Sequence, residues 1–232
     1  MIRQNIDQIE ERICRACERA GRDRHSVTLI CVTKTKPLEM LKEAYEYGQR
    51  DFGENKVQEI CRKAPELPED IHWHMIGHLQ RNKVKQVIGT AAMIHSVDSL
   101  RLAQTISAEA VKAGIVMPVL IEVNMAGEDS KYGISPDETE ALVRQISELE
   151  GIRVKGLMTI APYTEDAQTN RPYFKGLREL SVDIGQKCID NVSMSVLSMG
   201  MTGDFEVAVE EGATMVRVGT GIFGERVYPA LS

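Results

Sequence analysis

Apolar residues open the chain at Ile2, Ile6, Ile9, Ile13, Cys17 and Ala20. These steps of three or four put one apolar stripe on a helix, and Gly21 ends it. The period then changes. VTLICVT (27–33) is a continuous apolar, β-branched run, as expected of a strand buried on both faces of a parallel sheet. Pro37 follows, and LEMLKEAYEYG reads as a helix closed by Gly48. The alternation repeats to the end of the chain. A short strand near Asp51–Gly53 leads to a helix from Glu54 to about Lys63. HWHMIG (72–77) is a strand, and LQRNKVKQVI is the helix after it. A strand at 92–98 precedes the helix LRLAQTISAEAVKAG, with Ser99 as its cap. PVLIEVN (118–124) is the clearest strand. Ser135-Pro136-Asp137-Glu138 starts a helix that runs to about Leu149. A strand at 154–160, a helix from Gln168 to Cys188, a strand at 192–199, a short helix near Phe205–Glu211 and a strand at 215–220 complete the chain.

Eight strands, each followed by a helix or the chain end, predict an α/β fold: a (β/α)8 TIM-type barrel with an extra N-terminal helix. An open doubly wound sheet would carry G-x-G-x-x-G in its first turn. That turn reads TKTKP, without glycine. The expectation is one domain over residues 1–232, a length that can bury a large core without disulfides or metals.

Composition adds little to this picture but excludes some classes. The chain is 43% hydrophobic and 27% charged, with a formal net charge of -6. An acidic chain is a poor nonspecific nucleic-acid binder, despite a local patch at Arg81, Lys83 and Lys85. Cys14, Cys17, Cys31, Cys61 and Cys188 are odd in number and scattered, unlike a disulfide framework. The C-x-x-C at Cys14 and Cys17 lies in a helical pattern, with no second pair to complete a zinc site. The N-terminus lacks an apolar signal core, and no apolar run is long enough to span a bilayer. A cytoplasmic protein is expected, with no metal, nucleic-acid or membrane partner.

In a barrel of this kind, chemistry belongs at the carboxyl ends of the strands. Lys34 ends the first strand, where loss of hydration disfavours the charged amine. Lys36 would share its face if the segment stayed extended, and its charge would push the same way. A neutral amine is what Schiff-base formation with an aldehyde requires. The other reading is two solvated lysines in a loop, and position alone leaves it open. Ser198-Met199-Gly200-Met201-Thr202 ends strand seven, and Arg217-Val218-Gly219-Thr220-Gly221 ends strand eight. Barrels often bind phosphate with these two loops, glycine letting backbone N–H groups approach the oxygens. Tight turns alone would also explain the glycines. A phosphorylated aldehyde would fit both ends of this arrangement. Strand ends with neither a carboxylate cluster nor a Ser-His-Asp set speak against a metal site and against triad hydrolysis.

The segments VTKTKP (32–37), FGENKVQE (52–59), WHMIGHLQRNK (73–83), SKYGI (130–134) and LSMGMTGDFEVAVEEGATMVRVGTGIFGER (197–226) resemble the pyridoxal phosphate homeostasis protein family over nearly the whole chain. The family is similar to the barrel domain of alanine racemase. The resemblance implies that Lys34 carries pyridoxal 5'-phosphate (PLP) as a Schiff base. It implies that Ser198, Gly219 and Thr220 help hold the phosphate, that Arg217 faces the pyridine nitrogen, and that Asn55 and Met158 line the ring. His78 and Lys131 match family positions near the site. His72, His74 and His95 fall on strands and read as structural.

Two functions compete. One is a PLP carrier in vitamin B6 homeostasis, without established catalytic turnover. The other is a PLP-dependent amino-acid racemase. PLP catalysis uses the ring as an electron sink, and an arginine at the ring nitrogen disfavours its protonation and weakens the sink. Two-base racemisation also needs an acid–base group on each face of the substrate. In alanine racemase the second base is expected from a partner subunit, with an additional β domain. The chain ends at Ser232, soon after strand eight, so that domain is expected to be absent. The carrier is therefore the expected function, as a monomer, with apo PLP-dependent enzymes as receivers.

Overall fold

A computed structural model describes residues 1–128 and 130–225. Arg226, the last residue of the quoted motifs, lies outside the described residues. The strands are β1 (Thr28–Val32), β2 (Asp51–Glu54), β3 (His72–Met75), β4 (Ala91–Val97), β5 (Met117–Glu122), β6 (Ile152–Met158), β7 (Val192–Met201) and β8 (Met215–Val218). All pair in parallel, in sequence order, and β8 closes on β1 through pairs such as Cys31 with Val218. The expected (β/α)8 barrel is therefore the observed fold. The helices are α1 (Ile2–Arg19), α2 (Leu38–Glu46), α3 (Val57–Lys63), α4 (Leu100–Lys112), α5 (Pro136–Ser147), α6 (Arg171–Gly185), α7 (Phe205–Glu210) and α8 (Thr220–Phe223). Among the described residues, no helix is long and apolar enough to cross a membrane.

Two apolar regions follow from the period-2 alternation of strand side chains. Outward-facing residues such as Leu29, Phe52, Trp73 and Val216 join the helices in the main core. Inside the barrel, Met93, Leu120 and Met158 form a small separate cluster, with Val196 and Met215 against it. The rest of the interior includes polar side chains: His74, His95, Glu122, Ser198 and Arg217 are all buried.

Helix α1 buries Ile2, Ile6, Ile9 and Ile13 as its spacing predicts, together with Ala16 and Cys17. It packs across α7 and α8, the elements that follow β7 and β8. Arg12 reaches Glu206 at 3.0 Å, Arg19 reaches Glu210 at 2.7 Å, and the Asn5 amide donates to the Ile222 carbonyl at 2.8 Å. The extra helix therefore braces one sector of the barrel mouth.

Three local expectations are corrected. The segment after β3 is a 3-10 turn at Arg81–Gln86 and not an α-helix. Its buried residues, Leu79, Val84 and Val87, are spaced five and three apart, which gives no continuous helical stripe. Ser99 stands at the N-cap of α4, but its hydroxyl makes no capping hydrogen bond. The predicted 168–188 helix begins as a 3-10 turn at Ala167–Asn170 and becomes α-helical at Arg171, just ahead of Pro172.

Candidate functional site: the carboxyl ends of the strands

Lys34 lies in a turn just beyond β1, half-buried. The Lys36 amide donates to the Thr33 carbonyl at 3.0 Å, and Thr35 takes a positive φ of 65°. The segment is thus not extended, and the expected shared face of Lys34 and Lys36 is corrected. The Lys36 ammonium instead donates to the carbonyls of Phe223 (3.1 Å), Gly224 (2.8 Å) and Glu225 (3.0 Å), at the C-terminal end of α8. A cation is favourable there, against carbonyls without helical partners.

A buried clamp fixes the base of this turn. Thr33 Oγ1 donates to Glu54 Oε1 at 2.6 Å, and Lys63 Nζ contacts both Glu54 Oε1 at 2.6 Å and the Thr33 carbonyl at 2.8 Å. Glu54 and Lys63 have no exposed surface. Burial raises the Glu54 pKa, with the bonds from Lys63 and Thr33 opposing it. The clamp ties together the residues just before Lys34 and Asn55. Asn55 Oδ1 is buried without a hydrogen-bond partner, an acceptor waiting for a donor. Gly77 lets β3 approach it: a Cβ there would lie 2.5 Å from the Asn55 carbonyl oxygen. Asn55 also lines a cleft of about 470 Å³ with Lys56, Gln58, His78, Gln80 and Lys83.

Beside β1, the loops after β7 and β8 form a cup. Thr202 Oγ1 is its centre. The backbone N–H groups of Gly219 and Gly221 each lie 3.4 Å from it, and Thr220 Oγ1 lies at 3.2 Å. A Cβ on Gly219 would lie 3.3 Å from Val32, and one on Gly221 3.1–3.2 Å from Thr202, Val218 and Ile9. Glycine thus lets these three elements close on one another. Thr220 is exposed, so the cup opens to solvent.

Ser198 is not part of the cup. It lies lower on β7, with no exposed surface, and its hydroxyl accepts from Arg217 Nη1 at 2.6 Å and meets His95 Nδ1 at 2.9 Å. Thr202, four residues on, stands in the cup instead. Arg217 also donates to the Thr159 carbonyl at 2.9 Å. Burial lowers the Arg217 pKa to about 10, with Glu122 and Asp204 opposing, so the guanidinium stays cationic at neutral pH. Burial and Asp98 push the Glu122 carboxyl up to about 7, with Arg217 opposing. Met158 is buried in the interior cluster. His78 stacks on Tyr132, with centroids 4.0 Å apart and planes at 13°. Lys131 pairs with Glu128 at 2.8 Å.

Sequence reasoning missed Thr202, Glu122 and the Glu54–Lys63 pair as individual residues. The available signal was alternation: Asp51, Gly53 and Asn55, or Glu122 and Asn124, recur at the inward period of strands that are otherwise apolar.

This arrangement defines a class: a (β/α)8 barrel with a lysine after its first strand, a cup of small residues after its last two, and an arginine buried in its interior. Residues 4–227 match the family model described as "Alanine racemase, N-terminal domain". The "Pyridoxal phosphate homeostasis protein" of Aquifex aeolicus (strain VF5) is 47% identical over 97% of this chain and 98% of its own length. The human protein of the same description is 39% identical over 95% of this chain and 85% of its own length. The chain belongs to the pyridoxal phosphate homeostasis protein family. Among solved structures, PipY of Synechococcus elongatus PCC7942, described as having PLP bound, superposes with a TM-score of 0.83 at 34% identity, over 97% of this chain and 100% of that one. An alanine racemase of Clostridium difficile 630 superposes with a TM-score of 0.76 at 15% identity, over 99% of this chain and 57% of that one, which shows the fold alone.

Proposed function

We propose that this protein holds PLP as a Schiff base on Lys34 and acts in intracellular PLP homeostasis as a carrier without catalytic turnover. The observation that bears most weight is the neighbourhood of the Lys34 turn, on β1, and the cup of Thr202, Gly219, Thr220 and Gly221, reached from β7 and β8. The residues present fit such a cofactor. Two hydroxyls and two glycine amides suit a phosphate. The unpartnered Asn55 Oδ1 suits a donor from the ligand. Arg217 offers five N–H groups, of which Ser198 and Thr159 engage two, so others can address a pyridine nitrogen. Met158 would support the ring from the barrel interior. The relatives' description and the PLP bound to PipY support the same reading.

When bound, PLP supplies an electrophilic aldehyde and a ring that can accept electrons. The rest is the work of this chain. A permanent cation at Arg217 disfavours a proton on the ring nitrogen and weakens that electron acceptance. Thr33, Glu54 and Lys63 hold the base of the Lys34 turn. An exposed Thr220 leaves the phosphate end open to solvent, so the cofactor can leave. We read residues 1–232 as one barrel domain that acts as a monomer and passes PLP to apo PLP-dependent enzymes.

The racemase alternative needs a second acid–base group. Glu122, with its carboxyl near neutrality, is the interior group to test for that role. Solvent deuterium exchange at Cα of alanine or serine separates the readings. A carrier should exchange orders of magnitude below about 1 s⁻¹, the low end of ordinary turnover. Enzyme-like exchange that Lys34→Ala abolishes and Glu122→Gln diminishes would establish the racemase instead.

A further inference from the structure

A line of side chains crosses the barrel interior to the site. It begins at Asp51, the first residue of β2, whose carboxylate is 26% exposed. Asp51 Oδ1 lies 3.0 Å from His74 Nε2 on β3. His74 Nδ1 lies 2.9 Å from His95 Nε2 on β4. His95 Nδ1 lies 2.9 Å from Ser198 Oγ on β7, and Ser198 Oγ accepts from Arg217 on β8 at 2.6 Å. From His74 to Arg217 every member is at most 3% exposed.

The donors' chemistry gives the line a direction. Arg217 can only donate, so Ser198 Oγ accepts from it. Burial holds His95 well below the usual histidine range, and His74 and Arg217 push the same way, so His95 is neutral with a single N–H. Burial raises Asp51, but the bonds and charges of His74 and His72 more than offset this, and it stays an acceptor-only carboxylate. Asp51 therefore accepts from His74 Nε2–H. The Ser198 hydroxyl, accepting from Arg217, donates its own proton to His95 Nδ1, so His95 carries its proton on Nε2 and donates it to His74 Nδ1. Every donor points from Arg217 toward Asp51, and each of the four contacts is satisfied.

Packing alone does not call for this. Met93, Leu120 and Met158 fill the same interior with apolar atoms. Buried polar groups cost about 1–3 kcal/mol each unless paired, so an unbroken line points to a requirement at one of its ends. We propose that Asp51, His74 and His95 are positioning residues for the cofactor site. They hold the Ser198 hydroxyl so that its oxygen faces Arg217, and thereby fix the guanidinium that the proposed function sets opposite the pyridine nitrogen. The proposal rests on that function for what Arg217 meets, but not for the line itself.

Nitrogen-15 spectra of histidine in the purified chain test this directly. At pH 8 both His74 and His95 should show a protonated Nε2 and an unprotonated Nδ1. Asp51→Ala removes the acceptor at the end of the line and should release both histidines from this single tautomer. A His95 that carries Nδ1–H in the wild-type chain, or nitrogen shifts at His95 that Asp51→Ala leaves unchanged, would overturn the line. In PLP-loaded protein, His95→Phe should weaken binding about tenfold, the loss of one hydrogen bond to a charged group's partner, and shift the cofactor's absorbance band. Wild-type affinity and band in a folded His95→Phe would reduce the line to packing. If that variant does not fold, the nitrogen spectra of Asp51→Ala decide. Borohydride trapping of PLP on wild-type Lys34 tests the other reading separately, since the nitrogen spectra need no cofactor.

Discussion

At the scale of single residues, the phosphate cup we propose turns on Thr202. Thr202→Val and Thr220→Val should each weaken PLP binding about tenfold, because a hydrogen bond to a charged group is worth roughly 1.5–3 kcal/mol. Pyridoxal, without the phosphate, should discriminate poorly between these variants and wild type. Ser198→Ala should behave differently, weakening PLP and pyridoxal alike, since Ser198 touches Arg217 and not the cup. Fluorescence titration with both ligands checks this, and equal PLP affinity in both threonine variants would place the phosphate elsewhere. Glu122 gives a pH prediction. Its folded pKa of about 7 stands above the ordinary 4.5, so between these values the folded state holds the extra proton. Stability from this group is full below about pH 4.5 and is lost as pH rises through 7, a difference of about 3 kcal/mol. Glu122→Gln should therefore stabilise the apo protein at pH 8 more than at pH 5, as measured by urea unfolding at both. The place of Lys34 just beyond the first strand was legible in the sequence, since the β-branched run before it marks that strand. The end of strand seven was read only as a stretch from Ser198 to Thr202, because a boundary read from composition is uncertain by a few residues. That stretch separates the barrel interior from its rim.

At the scale of elements, what holds the site together is the stitching between strand ends. Lys63, on α3, reaches β2 and the end of β1 through Glu54 and the Thr33 carbonyl, and also Glu59 at 2.8 Å. Removing one member of a buried pair leaves the other charge uncompensated, at a cost of about 3–5 kcal/mol. Lys63→Met should cost this much in denaturant unfolding, and Lys63→Met with Glu54→Gln should cost less than the two single changes summed. Additive losses would mean that the pair is not a unit. Helix α1 acts at the same scale. Ile9 lies against Gly221, so Gly221→Ala should push Thr202, Val218 and Ile9 apart and loosen PLP without altering the Lys34 turn. Unchanged PLP affinity in that variant would remove α1 from the account of the cup. The helices were legible where an apolar stripe is continuous, as in α1. The 3-10 turn after β3 was not, because its charged residues looked helical by propensity while its few buried positions gave no stripe. The Glu54–Lys63 clamp was hidden for a different reason. Charged residues in sequence look solvated, and only the third dimension brings these two to 2.6 Å in the dry interior.

At the scale of the whole molecule, the closed parallel barrel was legible because eight alternations of strand and helix leave few other topologies. The polar contents of its interior were less so, since inward and outward faces cannot be told apart from a continuous apolar run. The fold is shared with alanine racemases at low identity, and the fold does not decide function. What separates the two readings is the Arg217 cation and the open cup. Transfer of bound PLP to an apo PLP-dependent enzyme should therefore be measurable, and light scattering should give a mass near the 25.9 kDa of one chain. A covalent hold on Lys34 is what a carrier of this design requires. PLP-loaded protein is scanned by absorbance, reduced with borohydride, digested and mapped by mass. A Schiff-base band that reduction abolishes is expected, with the pyridoxyl mass on the peptide containing Lys34 and its loss in Lys34→Ala. A modification that maps instead to Lys36, or a band that survives in Lys34→Ala, would contradict it.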